Sequence, residues 1–141
     1  MPAYDSARSS WHLVRTDYSD QETWVAVLGS VLQETEEGFR ADLEVVEDRG
    51  FDGFGVAQVR AVITEDYEYS FILAADKITM TATDHPLLVI DLFDESGRSF
   101  RAVPLAIQAI ENNLSIANMS FFEFADHVDP DGVFRDFPPD P

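Results

Sequence analysis

The chain has 141 residues, no cysteine, and 27 acidic against 9 basic side chains, a formal charge of −18. That length suits one domain with a core of its own, and 45% hydrophobic residues, 11 of the chain's residues being Phe, favour folding over disorder despite the charge. The missing cysteines exclude disulfides, zinc–thiolate sites and thiol nucleophiles, and the carboxylate excess argues against nucleic acid or an anionic membrane as partner, because phosphate binding needs concentrated positive charge.

The first ten residues are small and polar, and we read residues 1–10 as a flexible arm. They hold no apolar stretch of signal-peptide length. No apolar run approaches the ~18 residues of a membrane span. The expectation is a soluble cytoplasmic protein. Trp11–Arg15 predicts a short strand. Ser19 and Glu22 have capping-box spacing, so a helix is expected from there. Its stripe is Trp24, Val27, Leu28, Val31 and Leu32, closed by Gly38. Phe39, Ala41, Leu43 and Val45 alternate with charged residues, as in a strand with one wet face.

The glycines at 50, 53 and 55 lack the spacing of a nucleotide-binding loop. Val56, Val59, Val62 and Ile63 predict a short helix. Tyr69–Ala75 and Leu87–Phe93 are apolar runs of the kind found in strands covered on both faces. Phe100–Val103 is a third such strand, and the connection DESGRS is too short for a crossover, so it pairs antiparallel with its predecessor. Pro104 opens a helix with Leu105, Ile107, Ala109 and Ile110. Asn112 and Asn113 fall where that pattern stops, and asparagine tolerates the left-handed conformation that ends helices. Leu114–Ala117 alternates as in a short strand or extended loop. Ser120 and Glu123 repeat the capping-box spacing ahead of Phe121, Phe124, Ala125 and Val128. The sequence DPDGVFRDF reads as a turn with aromatic anchors, and residues 138–141 as a disordered tail.

Three groups of residues are candidates for chemistry. Asp17, Asp76 and Asp91 lie at or near the ends of predicted strands. If those strands run parallel, the carboxylates converge at the edge where α/β sheets bind ligands and offer oxygens to a hard cation. Asn112, Asn113 and Asn118 are either helix punctuation or amide ligands on a pocket floor. Arg15, Arg98, Arg101 and Arg135 either cluster around an anion or pair with carboxylates of the chain itself, the second being the expected outcome. His12, His85 and His127 have no metal-ligand spacing, and no G-x-S-x-G occurs. Neither a metal site nor a cofactor is assigned, and no residue is assigned as catalytic.

LVRTDYSD, HPLLVIDLFDESGRSFRAVP and IENNLSIANMSFFEFADHVDPDGVFRDF together resemble a family of small acidic bacterial proteins with no assigned function. The likeness spans Trp11 to Phe137 and is weaker between Gly50 and Glu68. It implies a stand-alone domain and carries no catalytic residue, cofactor or partner.

The expected architecture is a single α/β domain over residues 11–137. It is a Rossmann-like layered sandwich with a mixed sheet of about five strands, one antiparallel hairpin and about four helices. An α+β sheet covered on one face is the alternative. Two functions stay open. One is a non-enzymatic module that binds a basic protein, as immunity proteins and inhibitors of cationic toxins do. The other is a small enzyme or ligand-binding domain that uses the strand-end carboxylates.

Overall fold

Strand alternation and glycine-assisted turns lay out a six-stranded sheet, seen in a computed structural model that describes residues 11–34, 38–61, 71–92, 98–115 and 119–135. The strands are β1 (Trp11–Arg15), β2 (Leu43–Val46), β3 (Phe71–Ala75), β4 (Leu87–Asp91), β5 (Ser99–Ala102) and β6 (Val133–Phe134). Their order across the sheet is β2-β1-β3-β4-β5-β6. All run parallel except β4, which is antiparallel to both neighbours. The helices are α1 (Gln21–Val31), α2 (Val56–Ala61), α3 (Lys77–Thr81), α4 (Ile107–Ser115) and α5 (Phe121–Ala125). Short 3-10 turns cover Arg49–Phe51 and Pro104–Ala106.

The central strands are buried on both faces, and their alternation sorts side chains into two cores. Leu13, Leu73, Val89 and Ala102 meet Trp24 and Val27 of α1, Ile107 and Ile110 of α4, and Phe121 and Phe124 of α5 in the larger core. Val14, Ile72, Ala74 and Ile90 meet Phe51 of the 3-10 turn and Val59 of α2 in the smaller one. The layered sandwich is therefore covered on both faces. Aromatic contacts tie α5 to the sheet. Phe121 stacks on Phe71 at 5.6 Å and tilts against Phe100 at 5.2 Å, while Phe124 meets Phe134 edge-on at 5.2 Å.

Several boundaries differ from the sequence reading. The first helix is capped by Asp20, whose carboxylate accepts from Thr23 N at 3.0 Å, and Ser19 turns back to Asp17 instead. That helix ends at Val31, well before Gly38, because no apolar position beyond Leu32 keeps it on the core. The alternating run from Phe39 forms a strand only from Leu43, and Phe39 stands exposed. Helix α4 runs through Asn112 and Asn113 to Ser115, so the asparagines do not end it; Asn113 Nδ2 donates to Ala109 O at 2.8 Å within the helix. Ser120 holds the N-cap position of α5 without a side-chain hydrogen bond.

Two elements are additional. Helix α3 follows β3 directly and is capped reciprocally by Asp76 and Thr79. The turn at Asp129–Gly132 leads into β6, with Gly132 at φ 82, a left-handed conformation that glycine adopts without a Cβ clash. The expected arm at 1–10, Ile116, Ala117 and the tail at 138–141 lie outside the described residues.

Candidate functional site

Parallel β1 and β3 direct Asp17 and Asp76 to the same edge of the sheet, because Arg15 pairs in register with Ala75. Antiparallel β4 carries Asp91 to the opposite edge, where it lies across from Phe71. The three carboxylates do not converge, and among the described residues no group of three His, Asp or Glu side chains could hold a metal ion. The expectation of convergence fails because it required β4 to run parallel.

The two that share an edge are occupied by local structure. Asp17 Oδ1 accepts from the backbone N of Ser19 at 2.9 Å and from its hydroxyl. Asp76 Oδ1 accepts from Thr79 N at 3.1 Å and from Arg101 Nη1 at 2.9 Å, and its Oδ2 accepts from Arg101 Nη2 at 2.7 Å. Burial pushes the Asp76 carboxyl up, but the hydrogen bonds from Arg101 and Thr79 outweigh it and hold the group below the ordinary carboxylate range.

The crevice between the carboxyl ends of β1 and β3 is where chain order reverses, the usual ligand position in open α/β sheets. Here backbone and side chains knit it together. Thr16 N donates to Ala75 O at 2.9 Å, and Gly53 N donates to Thr16 O at 2.8 Å. Arg15 is buried there with its guanidinium 4.3 Å from the Tyr18 ring centroid and 5.0 Å from that of Trp24. Its Nε donates to Asp17 O at 2.9 Å, and its Nη1 donates to Gln21 Oε1 at 2.8 Å and lies 3.5 Å from Glu47 Oε2.

The other candidate arginines also pair with carboxylates of the chain. Arg98 Nη2 reaches Asp126 Oδ1 at 2.9 Å. Arg135 Nη1 donates to Asp129 Oδ2 at 2.7 Å, and its Nη2 donates to Asp131 Oδ2 at 2.8 Å and to Asp84 Oδ2. Asp84 is set in reach by the turn before β4, where His85 adopts φ 51 and its Nδ1 lies 2.9 Å from Thr79 O. The hydrogen bond from Arg135 lowers the Asp131 carboxyl, and those carboxylates raise the guanidinium in return.

A hollow of about 500 Å³ opens beyond the carboxyl ends of β5 and β6. Ala106, Phe124 and Phe134 form its buried floor, and Leu105, Ala109 and Met119 form its walls. Asn113 and Arg135 supply its polar lining. Of the asparagines singled out in the sequence, Asn113 lines this hollow, Asn112 is exposed and is not part of its lining, and Asn118 lies outside the described residues. Periodicity did not reveal the hollow, because it forms between a helix, a second helix and a two-residue strand that no local pattern brings together. The one available signal was the Phe-rich stretch followed by Val133 and Phe134.

No helix among the described residues is long and apolar enough to cross a membrane. No curated protein matches the chain. A family model described as a domain of unknown function (DUF6924) matches residues 10–137. The chain, on that match over nearly its whole length, belongs to this family of unknown function.

Proposed function

We propose that the protein is a cytoplasmic, non-enzymatic binding module of a bacterial cell, and that its partner is a basic protein, as for an immunity protein or an inhibitor. The observation that carries this reading is where the arginines are spent. Arg15, Arg98, Arg101 and Arg135 each pair with carboxylates of the same chain. Their charge is thereby cancelled internally, while 27 acidic against 9 basic residues leave the remainder of the field negative. A negative surface steers a basic partner and repels phosphate. The enzyme reading rested on three carboxylates at one edge, and Asp91 lies at the other.

The test is a pull-down from the native cell extract, then association kinetics across a salt series. We expect a dominant partner of basic isoelectric point whose association rate falls as ionic strength rises, because exposed charges are screened beyond about 8 Å at physiological salt. A dominant acidic partner, or an association rate indifferent to salt, overturns the proposal.

A further inference from the structure

We infer that the hollow between α4, α5 and the end of β6 seats an apolar anchor of the partner, an aromatic or large aliphatic side chain flanked by lysine or arginine. The inference rests on the reading of the protein as a binder of basic partners, and it names where the contact is made.

Size, lining and charge select this occupant together. At about 500 Å³ the hollow falls within the range of about 300–1,000 Å³ that accommodates a bound group. Its apolar floor suits a ring, and Met119 in its wall is a flexible side chain that adapts to different shapes. Buried aromatic anchors in such recesses carry most of the binding energy at protein interfaces.

The rim decides the sign of the ligand. Arg135 lines the hollow, but its guanidinium is shared among Asp84, Asp129 and Asp131. An anionic ligand would find those donors engaged and an excess of negative charge around them. A cation meets carboxylates that outnumber the guanidinium.

The surface beside the hollow extends the match. Leu105 is 68% exposed although large and apolar. It forms a ridge between the main hollow and a smaller one of about 230 Å³, where α1 ends at Val31 and Glu34 adds another carboxylate. A segment that places its anchor in the main hollow and crosses Leu105 keeps its basic flanks against acid on both sides.

A titration of the full-length, isotope-labelled protein with capped tripeptides tests this by NMR. The probe has phenylalanine between two lysines; the comparators replace both lysines by glutamine, both by glutamate, or the phenylalanine by alanine. We expect shifts centred on Leu105, Ala109 and Met119, with the lysine-flanked probe binding severalfold tighter than the glutamine-flanked one at low salt. The glutamate-flanked and alanine-centred probes should leave these signals unmoved. Ala109→Trp, at an exposed helix position, should fill the mouth and abolish the shifts. Asp129→Asn with Asp131→Asn, two exposed sites, should keep the fold and erase the preference for lysine.

Equal response to all four peptides, or shifts away from the hollow, overturns the inference. Stronger probe binding in Phe137→Ala also overturns it, because the chain's own tail would then be the occupant. A basic partner that is captured equally well by Ala109→Trp removes the anchor and leaves the broader binding reading standing. Capture of an acidic partner removes that reading, while the peptide titration still decides the hollow.

Discussion

Asp76 serves three donors with two oxygens: the Thr79 backbone, the Thr79 hydroxyl and the Arg101 fork. It therefore links the end of β3, the start of α3 and the middle of β5. Arg101 also donates to Pro86 O at 3.2 Å, which draws the turn before β4 into the same knot. Its carboxyl is depressed below its ordinary value, so the stability it contributes is fully present above about pH 4 and is lost as pH falls through the depressed value. Asparagine keeps the cap but loses the charge. We expect Asp76→Asn to cost about 2 kcal/mol at neutral pH, the scale of a charge-assisted hydrogen bond. The gap to wild type should shrink in acid, as pH falls below the ordinary carboxylate range and the wild-type carboxyl protonates. Urea midpoints at the two pH values check this, and an unchanged gap would show that Asp76 acts through packing alone.

At the scale of elements, two caps with similar sequence signals behave differently. Both Ser19/Glu22 and Ser120/Glu123 carry capping-box spacing. The first is displaced by one residue because Asp17 captures Ser19, which leaves Asp20 to accept from Thr23. The carboxyl of Asp20 is lowered by the Thr23 backbone and hydroxyl, as expected of a group that caps in its charged form. Ser120 is in place but its side chain makes no cap hydrogen bond, and α5 is held by Phe121 and Phe124 against the sheet. Asp20→Ala should lower the denaturant midpoint, whereas Ser120→Ala should stay within about 0.5 kcal/mol of wild type. A clear loss in Ser120→Ala with none in Asp20→Ala would reverse the assignment.

For the whole molecule, the charge imbalance works against compactness. A formal −18 on 141 residues repels itself once Arg98, Arg101 and Arg135 are spent on internal pairs. Salt weakens the exposed pairs too, but these are individually small contributions. The carboxylate excess of 27 acidic over 9 basic residues should dominate. Raising sodium chloride from about 0.01 M to about 0.1 M shortens the screening length from about 30 Å to about 10 Å. The thermal midpoint should rise over that range. A flat or falling midpoint would mean that the carboxylates are better compensated than their number suggests.

The sequence by itself determined the class of fold and the central strands, and its carboxylate excess made acidic partners the expected outcome for the arginines. Apolar runs such as Leu87–Ile90 and helical stripes such as Trp24, Val27 and Val31 are local patterns, and burial follows them directly. The short β4–β5 connection likewise dictated an antiparallel pair. Only the tertiary structure decided what depends on residues far apart in sequence. Strand direction sent Asp91 away from Asp17 and Asp76, although all three look alike as strand-end acids. Strand β6 has two residues, too few to show a period, and exists because β5 offers it a partner. The hollow beside it needs Leu105 ahead of α4, Met119 ahead of α5 and Phe134 of β6, so no short stretch of sequence contains it.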